Sequence, residues 1–243
     1  MADVAPDGVV RVRARNPSPL TLDGTNTYVV GRWVVDPGPL MDDHLQAVLA
    51  AASDGIEGIV LTHSHSDHSE AAPELARRAG AVPVTLPSGG DRVGPFEAVA
   101  TPGHSADHVS LVLGRVCFSG DTVLGLGSVF ISPGDGSMAA YLRSLRHLRE
   151  LDLETICPGH GPFVNDPNAK LDAYIQHREE RERLVLAAID HGARTRDEIL
   201  DEAWRDVDLS AHPELRFAAA ATLEAHLEKL LADGRLDPAR WQE

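Results

Sequence analysis

The sequence contains little cysteine, little positive charge and no long apolar run, and each absence narrows the choice of function. Its only cysteines, Cys117 and Cys157, lie in apolar strand-like runs, which argues against a disulfide framework and favours a reducing compartment. No window reaches the roughly 18 apolar residues that span a membrane, and the first residues lack the basic stretch and apolar core of a signal peptide. We therefore expect a cytoplasmic protein without a membrane partner.

Basic residues are scarce, since 22 Lys and Arg stand against 37 Asp and Glu, for a formal net charge of −15. Such a chain repels phosphate backbones and anionic membranes unless a local patch reverses the sign. A G-x-S-x-G nucleophile motif, a P-loop and a dinucleotide-binding fingerprint are also absent. Serine hydrolases, nucleoside triphosphatases and hydride-transfer enzymes are therefore not supported.

Short β-branched runs alternate with helical patterns over the first 165 of the 243 residues, which predicts a mixed α/β domain. Gly114 and Arg115 separate two such runs as in a hairpin, so part of the sheet should be antiparallel. After residue 165 the strands stop, and Asp166 and Pro167 provide the start of a long helix. We predict a main domain over residues 1–165, a connecting long helix over 166–192 and a compact C-terminal module over 193–243.

The stretch LTHSHSDHSE at 61–70 places four metal-binding side chains in six positions, namely His63, His65, Asp67 and His68. Because it follows the apolar run GIVLT, His63 and His65 should point to one face at the carboxyl end of a strand, and the next helix should begin at Asp67 and His68. Open α/β sheets bind ligands outside this edge. Neutral imidazoles and carboxylates suit Zn²⁺ and related ions, so this segment supplies about half of the ligands for two ions.

Three further candidate ligands follow or interrupt strand ends: His104 in TPGHSADH, Asp121 in FSGDT and His160 in CPGHG. The order H-x-H-x-D-H, P-G-H, G-D and P-G-H-G resembles the metallo-β-lactamase superfamily. That resemblance implies an α/β fold of the αββα sandwich type, with two mixed β-sheets flanked by helices. It also implies a metal-dependent hydrolase.

The resemblance assigns each candidate ligand to one of two metal ions. One ion would be held by His63, His65 and His104, the other by Asp67, His68 and His160, and Asp121 would bridge the two. Two Zn²⁺ ions are the expected cofactor, with Mn²⁺ or Fe as alternatives. A hydroxide that bridges the two ions would be the nucleophile.

Two residues are predicted to take part in catalysis. Asp67, besides binding metal, would orient the nucleophile and take up its proton. His108, four residues after His104, is the candidate for contacting the substrate or the leaving group, with a packing role as the alternative. One departure from the superfamily pattern is that Glu70 and Ala71 occupy positions that are usually Gly, which puts the local packing in question.

Within the superfamily the chain resembles the β-lactamase-like protein 2 family. The likeness lies in GTNTYVVG at 24–31, TPGHSADHVSL at 101–111, GDTVLGLGS at 120–128, YLRSLRHL at 141–148, PGHGPFV at 158–164 and YIQHREERE at 174–182, followed by a winged-helix-like tail. The GRLDPARW stretch at 234–241 would form the small β wing of that tail, and a plain helical cap is the alternative. Members of this family include single-strand RNA endonucleases, and related proteins are thioesterases that act on acyl carrier proteins.

The substrate is therefore open between single-stranded RNA and a small acyl substrate, and the Gly-rich loop 124–138 is predicted to form part of the substrate rim. A β-lactamase proper fits poorly with the missing export signal. A DNA-binding regulator with a metal-sensing site is a further alternative, but from Gly192 onward seven basic residues stand against twelve acidic ones. No double-stranded DNA partner is expected. We expect the tail to pack on the main domain or to mediate a homodimer.

Overall fold

The computed structural model describes residues 3–210 and 213–237, in which two five-stranded sheets pack face to face. In spatial order, the first sheet contains β1 (Val9–Arg13), β2 (Asn26–Val30), β3 (Trp33–Val35), β4 (Gly58–Val60) and β5 (Val84–Thr85). The first three strands are antiparallel, whereas β3, β4 and β5 run parallel. The sheet is therefore mixed, as the sequence predicts.

The second sheet is also mixed. It contains β6 (Arg92–Val93), β7 (Phe96–Ala100), β8 (Val109–Leu113), β9 (Val116–Gly120) and β10 (Thr155–Pro158), in the spatial order β10-β9-β8-β7-β6. The predicted hairpin joins β8 to β9, and β10 pairs in parallel with β9. The carboxyl ends of β9 and β10 therefore lie at one edge of the sandwich, next to each other.

Strands β2, β4 and β9 are buried on both faces, which explains why they are rich in β-branched and aromatic residues. Between the sheets, Tyr28 and Val60 of the first sheet pack with Phe118 of the second. Outside the first sheet, side chains of β2 to β4 pack against α1 (Asp42–Ala51) and α3 (Ala72–Arg78). Outside the second sheet, β9 and β10 pack against α4 (Met138–Glu150). The predicted αββα arrangement is confirmed.

The helix predicted to begin at Asp67 and His68 is divided in the structure. A single turn, α2 (Ser66–Ser69), ends before α3 begins at Ala72. Pro73 lies in the first turn of α3 and has no N–H, so an uninterrupted helix would lack a hydrogen bond there and would clash with the preceding turn. The break leaves α2 as a separate turn directly after the histidine-rich stretch.

After the sandwich come α5 (Pro167–Asp190), α6 (Arg196–Ala203) and α7 (Pro213–Ala232). Asp166 caps α5 by accepting from the Ala169 N–H, and Thr195 and Glu198 form the capping box expected for α6. Val185, Leu223 and Leu230 belong to a core that these three helices share. Half of the β wing predicted at 234–241, residues 238–241, lies outside the described residues. Within the described part, no helix combines the length and apolarity needed to cross a bilayer.

Candidate metal centre

The histidine-rich stretch leaves the carboxyl end of β4 and turns into α2 above the edge of the sandwich. Asp36, directly after β3, fixes this turn because its carboxylate accepts from both the N–H and the hydroxyl of Thr62, each at 2.7 Å. Asp36 itself has a φ of 48°, which costs energy for a residue other than glycine. His63 and His68 are fully buried at this edge, whereas Asp67 is partly exposed.

Two groups of three predicted ligands come together here. The ligand atoms of His63, His65 and His104 lie within 4.8 Å of one another, and so do those of Asp67, His68 and His160. Asp121 lies between the groups, since its Oδ1 is 3.4 Å from His68 Nε2 and its Oδ2 is 3.6 Å from His104 Nε2 and 3.4 Å from His160 Nε2. The structure thus brings all seven predicted residues to one place.

Glycines in the P-G-H motifs allow this convergence. A Cβ on Gly159 would lie 2.5 Å from Asp121 Oδ1, inside the group of ligands. A Cβ on Gly103, which has a φ of +142°, would lie 2.3 Å from the Cα of Tyr141. The loops that carry His160 and His104 therefore approach the centre and α4 only because no side chain intervenes.

The donor set fits divalent metal ions. His63 Nε2, His68 Nε2 and Asp121 Oδ1 are buried without a hydrogen-bond partner, and such atoms are costly unless a ligand satisfies them. Burial lowers the pKa of both His63 and His104, which keeps these imidazoles neutral, as metal binding requires. Burial also opposes protonation of His160, but the Asp121 carboxylate outweighs it and raises the His160 pKa to about 9. The centre therefore stabilises added positive charge.

Hydrogen bonds orient the imidazoles from behind. His68 Nδ1 donates to Asp36 Oδ2 at 2.9 Å, and His65 Nε2 lies 2.8 Å from Asp135 Oδ2. His104 Nδ1 donates to the backbone carbonyl of Phe130 at 3.2 Å. In metalloproteins such contacts fix the tautomer and the ring orientation of a ligating histidine.

Comparisons with known proteins agree with this geometry. The model of the metallo-β-lactamase superfamily matches residues 20–92 and 84–160. The chain belongs to the metallo-β-lactamase superfamily. Together with the donor set, this membership identifies it as a metal-dependent hydrolase.

Relatives of this metallo-β-lactamase superfamily member cover most of its length. It is 32% identical over 260 residues to a Caenorhabditis elegans protein named β-lactamase-like protein 2 homolog, covering 94% of this chain and 85% of that one. It is 33% identical over 225 residues to an Aspergillus fumigatus protein named atrochrysone carboxyl ACP thioesterase, covering 82% and 70%. Its fold is similar to that of a solved β-lactamase domain protein from Burkholderia ambifaria, with a TM-score of 0.81, 21% identity and coverage of 96% and 88%.

His108 lies behind the centre of this superfamily member rather than in its open part. The side chain is only 1% exposed, and its ring stacks on that of His63. Its Nε2 accepts from the Asp121 N–H at 3.1 Å, so the proton is on Nδ1, which is 3.0 Å from the Thr101 hydroxyl. Burial and the nearby His104 lower the His108 pKa to about 3. Contact with substrate stays a prediction, whereas the observed contact is with the backbone that positions Asp121.

Other residues support the loops that carry the ligands. Asn26 Nδ2 donates to the carbonyls of Pro158 and Gly161 at 3.0 and 2.8 Å, and the Tyr28 hydroxyl donates to Pro158 at 2.7 Å. Both side chains are buried and hold the loop of His160. The Thr25 hydroxyl donates to Asp67 Oδ2 at 3.3 Å.

The departure at Glu70 and Ala71 is accommodated locally. Ala71 is fully buried, and its N–H donates to the Gly38 carbonyl at 3.1 Å. Glu70 lies on the surface, where its Oε2 accepts from the Leu40 N–H at 3.1 Å. The two usual glycine positions of the superfamily are thus filled without a direct contact to a predicted ligand.

A cleft of about 540 Å³ opens onto the centre. Besides ligands, its lining contains the loop 18–22, part of the predicted rim loop 124–138, and Val207, Leu215 and Ala218 of the C-terminal module. Most of these side chains are apolar, and among the described residues that line the cleft none is Lys or Arg. The predicted rim loop therefore does border the cleft, and the C-terminal module forms part of the cleft wall.

Helices α5 and α7 hold the rim loop 124–138 from its outer side. The Leu124 N–H donates to the Tyr174 hydroxyl at 3.1 Å, and the Lys170 ammonium donates to the Gly125 carbonyl at 3.1 Å. From α7, the Thr222 hydroxyl accepts from the Ile131 N–H at 3.3 Å. The same loop thus contacts the metal centre on one side and the late helices on the other.

Proposed function

We propose that the protein is a dinuclear metal-dependent hydrolase of small acyl thioesters or esters. The observation that supports this substrate class is the cleft, which leads to seven potential ligands between apolar walls without a basic side chain among its described lining residues. An acyl chain gains free energy by leaving water for such walls, at roughly 25 cal/mol per Å² of apolar surface. The relative named as an ACP thioesterase supports the same class.

Two ions would be held by the two groups of ligands, with Asp121 shared between them. His63, His65 and His104 offer three imidazoles to one ion, and Asp67, His68 and His160 offer two imidazoles and a carboxylate to the other. Nitrogen-rich sets of this kind suit Zn²⁺, and Mn²⁺ or Fe are alternatives. When bound, such ions activate water at neutral pH and polarise the acyl carbonyl.

Asp67 is the proposed general base. Burial opposes its ionisation, but the hydrogen bond with His160 and the charges of His68 and His160 together outweigh burial and lower the Asp67 pKa, so the group is a carboxylate at neutral pH. Its side chain is 29% exposed and lines the cleft, so it can reach water that enters with the substrate. A carboxylate in this position can orient the attacking water and accept its proton. His108 would act as a positioning residue through its contact with Asp121.

Single-stranded RNA is the competing substrate, because the family that the sequence resembles includes RNA endonucleases. RNA binding draws on several Lys or Arg contacts to successive phosphates. The described lining of the cleft offers none, and the formal net charge of −15 gives RNA no general attraction. These observations favour the acyl substrate.

A parallel assay tests the proposal. Protein loaded with Zn²⁺ or Mn²⁺ is given short acyl thioesters and, separately, a labelled single-stranded RNA at about 50 mM salt, where phosphate contacts are strong. We expect thioester turnover that Asp121→Ala abolishes, with RNA left intact. RNA cleavage that weakens steeply toward about 200 mM salt, without thioester turnover, would overturn the proposal.

A further inference from the structure

A smaller cavity of about 160 Å³ adjoins the catalytic cleft. The two spaces share lining residues, including Val129 of the rim loop and Leu215 of α7. The smaller cavity is also lined by Arg178 and Arg181 of α5 and by Trp204, the residue after α6. An extended molecule that starts at the metal centre would reach Arg178 between the side chains that the two cavities share.

Arg178 is the unusual residue of this cavity. Its side chain is 2% exposed, and its guanidinium donates to the Val129 carbonyl and lies 5.4 Å from the ring centroid of Tyr141. Its Nε has no hydrogen-bond partner. Among the described residues, no carboxylate lies within 4.0 Å of the Arg178 guanidinium.

Arg181, one turn later on α5, is a nearby arginine whose charge and hydrogen bonds are satisfied. Its two terminal nitrogens each lie 2.6 Å from a different carboxylate oxygen of Asp206, and one also donates to the Ala203 carbonyl. Such a bidentate pair uses the geometry for which a guanidinium is suited. A buried guanidinium without a carboxylate is costly unless a ligand supplies the negative charge.

We propose that this cavity is a subsite for an anionic group, a carboxylate at the far end of the acyl part of the substrate, and that Arg178 binds it. The inference rests on the proposed acyl hydrolase function and narrows it to acyl chains that carry a distal carboxylate. The scissile carbonyl would lie at the metal centre, the chain would follow the walls of Val129 and Leu215, and the carboxylate would meet the guanidinium of Arg178, which lines the cavity.

The size and charge of the cavity favour a small carboxylate over a polyphosphate or nucleic acid. A volume of about 160 Å³ is small against the ~300–1,000 Å³ of a complete ligand pocket, so it fits one end of a molecule. Arg178 supplies one uncompensated charge, because Arg181 is already neutralised by Asp206. Successive phosphates would need several exposed basic residues instead.

The test uses matched pairs of acyl chains of equal length, one ending in a free carboxylate and the other in its methyl ester. Thioesters of both are used for kcat/KM, and unreactive amides of both are used for dissociation constants by calorimetry. We expect wild-type protein to favour the carboxylate at least tenfold, which corresponds to about 1.4 kcal/mol. Arg178→Gln should bring that ratio close to one, and Arg178→Lys should keep part of it because the charge remains.

Arg183→Gln is the matched control, since Arg183 lies on the same helix but is exposed and paired with Glu180. It should leave the ratio at the wild-type value. A wild-type ratio near one, or a ratio that Arg178→Gln leaves unchanged, would overturn the proposal. A crystal structure of wild-type protein with the carboxylate amide adds a readout that needs no variant, because a carboxylate bound away from Arg178 would also overturn it.

The two proposals fail in different ways. If neither thioester is hydrolysed, the acyl hydrolase function is wrong, yet the amide affinities still decide whether Arg178 forms a carboxylate subsite. If both thioesters are hydrolysed equally well, the function stands and the subsite does not exist.

Discussion

Buried polar atoms converge at the metal centre, whereas in the C-terminal helices they are paired or isolated. At the centre, unpartnered atoms of His63, His68 and Asp121 converge within a few ångströms of one another. In the module, charges are dispersed in pairs such as Arg181 with Asp206, and the buried His226 has no partner at either ring nitrogen.

The difference shows that convergence, more than burial, indicates a ligand site. Several unpartnered donors aimed at one point can share one ion, which repays the cost of burying all of them. The isolated ring of His226 has no comparable arrangement around it, so its burial reduces stability. Arg178 lies between these cases, because it is alone but borders a cavity that adjoins the catalytic cleft.

The largest expected effect comes from removing the shared carboxylate of the centre. Asp121→Ala should lower the amount of metal bound per chain. It should also reduce hydrolysis by more than the ~10–100-fold loss that is typical when a hydrogen-bond partner of a metal ligand is removed. Elemental analysis and the thioester assay measure the two effects. Asp152→Ala, at an exposed surface pair with Arg115, is the control and should change neither. Full metal content and activity in Asp121→Ala would show that the converging polar atoms of the centre do not form a metal site that depends on Asp121.

The module should respond to loss of packing rather than loss of charge. Leu230 is fully buried in the core shared by α5, α6 and α7, so Leu230→Ala should lower the free energy of unfolding by about 2–5 kcal/mol. Leu231→Ala, at a partly buried neighbour, should cost less. Urea unfolding measures both variants. Equal losses would show that the module has no well-packed centre.

A smaller effect is expected from Asp135, which supports the metal centre from the rim loop. It lies on the rim loop and orients His65 through a 2.8 Å contact, so Asp135→Ala should weaken metal binding by about tenfold. Asp135→Asn should weaken it less, because the amide oxygen can still accept from the imidazole. Competition with a chelator measures the affinities. An Asp135→Ala protein with unchanged metal affinity would show that the rim loop does not influence the centre.

His226 gives the smallest expected effect, and it depends on pH. Burial lowers its pKa to about 3, from about 6.5 in an unfolded chain. The unfolded state therefore binds the extra proton below pH 6.5, and stability falls as the pH decreases from 6.5 toward 3, by at most about 1.4 kcal/mol per unit. His226→Leu should remove this contribution. Urea unfolding at pH 7.5 and 5.5 should show a larger gain for the variant at pH 5.5.

Leu230→Ala, which removes no titratable group, supplies the control for that measurement. It should shift stability equally at both pH values. A His226→Leu variant with the same gain at both would mean that the acid sensitivity of the protein has its source elsewhere.

The ligands of the centre could be found from the sequence because four of them are adjacent in the chain and the others follow strand ends in a recurring order. Their hydrogen-bond partners could not. Asp135 is 70 residues from His65, and the Phe130 carbonyl has no sequence signature at all, so both contacts depend on the path of the rim loop. Asp36, by contrast, comes directly after a strand in the run VVDPG, which is a signal that could have been used.

For the fold as well, features with local causes could be predicted from the sequence, and features that depend on distant residues could not. The start of α5 at Asp166 and Pro167 was predicted correctly, because its causes, a capping carboxylate and a proline, are local. The two-residue strands β5 and β6 were missed, since they are too short to show a period. The apolar wall formed by Val207 and Leu215 depends on how α5 turns the module back over the cleft, which no local pattern encodes.

The double attachment of the rim loop 124–138 also bears on biosynthesis. All seven potential ligands lie between residues 63 and 160, whereas the helices that hold the loop and complete the cleft wall begin at Pro167 and end at Ala232. Translation proceeds from the amino terminus, and domains can form on the ribosome as they emerge. All ligands of a nascent chain therefore leave the ribosome before the helices that complete the cleft wall, and the core that α4 shares with Leu171, Tyr174 and Ala225 can close only after those helices have emerged.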